Sequence, residues 1–192
     1  MTPGIDRRVA WIDDASLLLM MLVVAAILTA AMVMQYAFGE LPCPLCLLQR
    51  AALFGICFGT IQSFRSGGFD RNGGIGLLFS VVLLIVSVRQ TLLDIYPRPG
   101  HAYIGSAVFG IHMPVWSVLI ATALIASFAV RSILFGSRDR RGMAPASALT
   151  HAARWLGAYV VLLCAINFVS VVIQCGLDEC HTFGYRLLGG PP

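Results

Sequence analysis

Gly39-Glu-Leu-Pro-Cys43-Pro-Leu-Cys46-Leu-Leu-Gln-Arg50 is a short polar break between two long apolar runs. It carries two cysteines in C-x-x-C spacing, with an arginine four residues past the second. Pro44 suits the first position of a helix, where its missing N–H costs nothing. A helix that starts there puts Cys46 and Arg50 on one face, because residues four apart are neighbours. Cys46 then falls in the first turn, where unpaired N–H groups and the helix dipole favour an anion. The guanidinium adds to that field, and both effects favour a reactive thiolate. The stretch suits such a thiolate at a membrane surface.

The composition around it excludes an ordinary soluble domain. Hydrophobic residues make up 58% of the 192 and charged residues only 11%, so a polytopic membrane protein is expected. Five apolar runs carry that expectation, at about 16–38, 45–64, 75–94, 114–135 and 152–174. Each is long enough to cross roughly 30 Å of hydrocarbon as a helix. The first is too long for the apolar part of a cleavable signal, and no small-x-small site follows it. The fold expected is all-α, a transmembrane bundle with a four-helix core plus a fifth span. It forms a single membrane domain over 1–192, with a cysteine-containing tail at 175–192. The stretch Arg65–Gly74 reads as a turn-rich loop and Tyr96–His101 as a second loop. Ala102–Met113 is mixed in character and is placed partly at the interface.

The net charge of +4 comes from 13 basic residues, all arginine. They are dispersed over the ends of the apolar runs, which argues against a nucleic-acid partner. Arginines concentrate on cytoplasmic loops. With the N-terminus inside, Arg7, Arg8, Arg65, Arg71, Arg131, Arg138, Arg140, Arg141 and Arg154 face inward. Arg50, Arg89, Arg98 and Arg186 face outward. Five spans then put the C-terminus outside, on the side of Cys43, Cys46, Cys175 and Cys180. Disulfides persist outside the cytoplasm, so charge bias and cysteine placement agree.

Each candidate residue has a plainer alternative. Cys43 and Cys46 suit redox chemistry; they could instead form a structural disulfide or half a zinc site completed by Cys175, Cys180 or His181. Arg50 could snorkel to head groups, yet an arginine at the edge of hydrocarbon is costly enough to suggest a role. Gln49 could donate to a ligand carbonyl or lie on plain helix surface. Cys57 and Cys164 fall within apolar runs and read as inert packing. Arg89 reads as snorkelling, His101 and His112 as loop residues, and Trp11, Trp116 and Trp155 as interface anchors.

Cys43-Pro-Leu-Cys46-Leu-Leu-Gln-Arg50-Ala-Ala-Leu-Phe-Gly55 resembles the disulfide bond formation protein B (DsbB) family. Met113-Pro-Val-Trp116 resembles the family's segment leading into its fourth helix. The likeness covers roughly the first 135 residues. It implies a helix bundle in the bacterial inner membrane that oxidises a periplasmic thioredoxin-like (DsbA-like) partner. Electrons pass to ubiquinone or menaquinone, the route by which the periplasm is kept oxidising. It also implies that Cys43 and Cys46 are the quinone-linked pair and that Arg50 lies beside the quinone. The family's better-known members carry a second cysteine pair between helices three and four. This chain has none there; Cys175 and Cys180 follow a fifth apolar run instead. No family role passes to them by position, and their sidedness alone suggests a second redox pair. A reductase like vitamin K epoxide reductase fits less well, because its C-x-x-C comes late in its bundle. A zinc-stabilised membrane module without catalysis is the other alternative.

Overall fold

The structure is a computed structural model and describes residues 3–66, 70–96, 107–135 and 147–176. The helices are α1 (Pro3–Ala37), α2 (Pro44–Ser66), α3 (Asp70–Ile95), α4 (Met113–Phe135) and α5 (Ser147–Cys175). All five contain windows of mean hydropathy from 1.5 to 2.8 and are long enough to cross a bilayer. They extend beyond the apolar runs because helix continues into polar ends, whereas hydropathy marks only what hydrocarbon tolerates.

One expectation is corrected. Arg65–Gly74 is not one loop: α2 runs to Ser66 and α3 begins at Asp70. Glycine costs a helix about 1 kcal/mol per residue, but here it permits close packing. A Cβ on Gly59 of α2 would stand 2.6 Å from the backbone nitrogen of Gly76 in α3. A Cβ on Gly76 would collide with Phe128 of α4, and one on Gly55 with Phe79 of α3. Small residues at such crossings are a usual means of membrane-helix association. Asn72 also reaches across, donating to the Gln62 carbonyl at 3.4 Å.

The mixed segment before α4 contains a feature the sequence did not specify. Ala107–Val108 and Ile111–His112 form strands β1 and β2 of a two-stranded antiparallel hairpin. Phe109 and Gly110 at its tip have φ of 53° and 76°. Both lie in the left-handed region that two-residue hairpin turns demand.

The packing order is α2 on α3 and α3 on α4, with α1 joined to α2 and α5 lying against both α1 and α2. The core gathers Met21, Val24 and Leu28 of α1, Ile56 and Cys57 of α2, Leu83 of α3, Phe128 of α4, and Val160 and Leu163 of α5. Leu78, Ile85, Ile133, Val161 and Phe168 point outward and are more than half exposed. So much contiguous apolar surface suits lipid rather than water. In the N-terminal third of α1, buried Asp13 receives two bonds from buried Arg131 of α4, at 2.5 and 3.2 Å. Arg131 is thus part of an interhelical ion pair as well as of the charge pattern.

Candidate redox site

The site begins where α1 ends. Gly39, with φ 69°, turns the chain, and the N–H of Glu40 reaches back to the Met34 carbonyl at 3.3 Å. Three residues later Cys43 starts α2 as its cap. The Cys43 carbonyl accepts the N–H of Leu47 at 3.0 Å, and its Sγ accepts the N–H of Cys46 at 3.1 Å. An N-cap oxygen makes the same bond in a serine- or aspartate-capped helix. The sequence pointed the helix start at Cys46; the bond it provides goes to the sulfur of Cys43.

Cys43 and Cys46 form a disulfide. Cys43 is buried, while Cys46 opens onto a cavity of about 610 Å³. That volume lies within the range of small-molecule pockets. Its apolar wall includes Ile27 of α1, Leu53 of α2, Leu83 of α3 and Ile120 of α4. Its polar groups are Glu40, Gln49, Arg50, Gln90 and Ser117.

Gln90 lies closest to the sulfurs among these. Its Nε2 stands 3.7 Å from Cys43 Sγ and 3.6 Å from Cys46 Sγ, donating toward both. Gln49 fixes Gln90 in turn: Gln49 Nε2 donates to Gln90 Oε1 at 2.9 Å and to Ser87 at 3.2 Å. Ser117 of α4 donates to Gln49 Oε1 at 3.4 Å. Gln49 therefore lies in the cavity wall inside an amide network, not on plain helix surface.

Arg50 lines the same cavity as Cys46 but is oriented from the other side. Its Nη1 donates to Gln35 Oε1 at 2.5 Å, to Asn167 Oδ1 at 3.2 Å and to Met32 Sδ at 3.5 Å. Its Nη2 donates to the Ala31 carbonyl at 3.0 Å. These four acceptors are neutral, so they orient the guanidinium without themselves adding negative charge. Arg50 is buried, so it is not snorkelling to the surface.

The remaining cysteines divide. Cys57 and Cys164 are free thiols, the first buried in the core and the second on the outer face of α5. Cys175 is buried at the end of α5 and is disulfide-bonded. Its neighbour Gln174 donates from Nε2 to the carbonyl of Pro42, the residue before Cys43, at 3.0 Å. The ends of α5 and of the C-x-x-C loop thus meet. Cys180, His181 and His101 lie outside the described residues. Arg89 is exposed, and His112 lies in β2. Among the described residues no three His, Cys, Asp or Glu side chains are grouped to hold a metal ion.

Gln35, Gln90, Ser117, Asn167, Ser170 and Gln174 escaped the sequence reading. A signal for some was present: Asn167, Ser170 and Gln174 are polar residues at one-face helical spacing inside an apolar run.

Five membrane-length helices and a disulfide facing a polar-edged cavity define an integral-membrane thiol–disulfide protein. The sequence model of the family "Disulfide bond formation protein DsbB" matches residues 13–131, and the chain belongs to that family. Similar proteins include disulfide bond formation protein B of Paracidovorax citrulli, 36% identical over 106 residues, covering 52% of this chain and 60% of that protein. The protein of the same name in Acidovorax sp. is 33% identical over 111 residues, with the same two coverages. That of Chromohalobacter salexigens is 32% identical over 115 residues, covering 53% and 63%. The chain thus spans about 60% of the length of these relatives. No solved structure matches it. Helix α5 lies beyond the residues that the family model matches.

Proposed function

We propose that the protein is a membrane thiol oxidase that reoxidises a periplasmic thioredoxin-like dithiol partner and passes the electrons to ubiquinone or menaquinone. One observation carries this: the Cys43–Cys46 disulfide presents Cys46 to a cavity shared with a buried arginine. The cavity suits a quinone head, with apolar walls for the ring and amide, hydroxyl and guanidinium groups for its carbonyls. Bound quinone supplies a two-electron, two-proton acceptor.

The protein's residues do the rest. In the reduced state Cys43 and Cys46 hold two electrons and two protons. They release both as their S–S bond re-forms. Gln90 donates toward both sulfurs and the Cys46 N–H toward Cys43, so negative charge on sulfur is met by N–H groups. Arg50 supplies positive charge at the cavity wall.

Electrons enter through Cys175 and Cys180 in this proposal. A partner thiolate attacks their disulfide and forms a mixed disulfide, releasing one tail thiol; the partner's second thiolate then attacks the partner sulfur of that bond and displaces the other tail sulfur. The partner leaves oxidised, and Cys175 and Cys180 become a dithiol. That dithiol attacks Cys43, its own disulfide re-forms, and Cys43 and Cys46 emerge reduced. The Gln174–Pro42 bond supports this route, since each member is adjacent in sequence to one of the cysteines that must exchange. The proposed orientation is N-terminus inside and C-terminus outside, within one membrane domain that ends in an exported tail at 175–192.

The test is purified protein with reduced thioredoxin-like partner and quinone, following quinone reduction. The Cys175→Ser/Cys180→Ser protein should lose turnover with the partner, while a small dithiol still reduces Cys43–Cys46. Wild-type turnover in that double variant would refute the entry route.

A further inference from the structure

Helix α5 is apolar over most of its surface: Val161, Leu162, Phe168 and Val169 are each more than half exposed. Asn167, Ser170 and Gln174 are the exception, polar and buried. Their spacing of three and four puts them on one side of the helix. A polar group in a membrane segment is costly and is usually retained for a purpose.

Polar residues often serve as general adhesive between membrane helices. Such adhesive can bond to any part of a neighbour. These three have narrower targets. Asn167 Oδ1 accepts from Arg50 Nη1 at 3.2 Å. Ser170 Oγ accepts from Gln35 Nε2 at 2.7 Å, and Gln35 Oε1 accepts from the same Arg50 nitrogen at 2.5 Å. Gln174 holds the Pro42 carbonyl at 3.0 Å. These three bonds end on the cavity arginine, on a residue bonded to it, and on the residue before the C-x-x-C. Higher on the same helix, Tyr159 pairs with Thr29 of α1 at 2.8 Å, which fixes the register of α5 against α1.

We infer that the fifth helix is a working part of the quinone site, with Asn167 the positioning residue that, with Gln35, aims the Arg50 guanidinium at the cavity. The inference rests on the reading of the cavity as a quinone site. Asn167 suits this task because its amide oxygen accepts from the guanidinium without neutralising it. Removing Asn167 leaves Arg50 bonded to Gln35 and Ala31 alone among these oxygen acceptors, both on α1. The guanidinium then loses its hydrogen bond to α5 and presents its donors to the cavity less often.

The test is equilibrium binding of a short-tailed ubiquinone to the oxidised, full-length protein in lipid nanodiscs, read by quenching of tryptophan fluorescence. No turnover is involved. Asn167→Leu should raise the dissociation constant by roughly tenfold, the scale of one hydrogen bond to a charged group. Asn167→Asp keeps the size and the acceptor but adds a carboxylate that competes with quinone oxygens for the guanidinium, so it should weaken binding too. A purely structural role for α5 would lower the fraction of binding-competent protein and leave the constant unchanged. If both variants bind within about twofold of the wild type while Arg50→Met binds more weakly, the positioning role is refuted and the quinone reading stands. If Arg50→Met also binds normally, the quinone reading falls and the inference with it. Should Asn167→Leu fail to insert, the isosteric Asn167→Asp decides alone.

Discussion

Gln90→Leu is the perturbation whose effect follows most directly from the geometry. Gln90 Nε2 donates toward Cys43 Sγ and Cys46 Sγ at 3.7 and 3.6 Å. A disulfide sulfur is a weak acceptor, and a thiolate a strong one, so the donors favour the reduced form. A net hydrogen bond to a charged group is worth about 1.5–3 kcal/mol. The long contacts to sulfur place Gln90 just below that range, near 1.4 kcal/mol, or about tenfold in the dithiol–disulfide equilibrium. For a two-electron couple that is about 30 mV. Because the variant loses stabilisation of the reduced state, its potential should become more negative by about 30 mV. Gln90→Glu keeps an acceptor for Gln49 but removes the donors and can add negative charge near sulfur, so its shift should be larger and in the same direction. The assay is equilibration of purified protein with glutathione buffers, followed by thiol trapping of Cys43 and Cys46 in a Cys175→Ser/Cys180→Ser background. A potential unchanged in both variants would show that Gln90 does not stabilise the reduced pair.

Arg50→Met should raise the quinone KM while leaving Cys43–Cys46 able to form its disulfide; Arg50→Lys, which keeps the charge without the planar fork, should recover part of the loss. Equal quinone KM in all three proteins would reduce Arg50 to a structural residue. Arg131→Met should destabilise the bundle by about 3–5 kcal/mol, because it leaves the Asp13 carboxylate buried without its guanidinium. The double variant Asp13→Leu/Arg131→Met should regain much of that loss in denaturant unfolding, and no recovery would mean that the pair is not coupled. Gly59→Ala should cost about 1–3 kcal/mol by forcing α2 off the Gly76 backbone; a variant with wild-type thermal stability would contradict the close crossing.

The five spans were legible because hydrocarbon thickness imposes one length on each, whatever its neighbours. Cys43, Cys46 and Arg50 were legible because their spacing is local, within two turns of a helix. What could not be read was chiefly long-range. Asp13 and Arg131 are 118 residues apart in sequence, and Arg50 and Asn167 are 117 apart; nothing in either neighbourhood names the other. Helical structure at Asp70–Gly74 was misjudged because its local composition favours a turn, while contacts between α2, α3 and α4 near Gly76 favour a helix. Gln90 follows Arg89 in sequence, and only the packing shows that the amide is buried toward the sulfurs while the charge is exposed. Asn167, Ser170 and Gln174 were visible as a polar stripe, but only the partner helices show what the stripe is for.

The bond from the Cys46 N–H to the Cys43 sulfur bears on turnover as a whole. A capping oxygen would be indifferent to redox state, and a capping sulfur that was consumed by the reaction would leave the helix end bare once per cycle. Here the sulfur keeps its lone pairs as disulfide, as thiol and as thiolate, and can receive the same N–H in each. The start of α2 therefore need not be rebuilt when electrons arrive or depart. Little atomic rearrangement is required around the reacting sulfurs, and a rigid bundle can accommodate a cycle of bond making and breaking without loosening its helices.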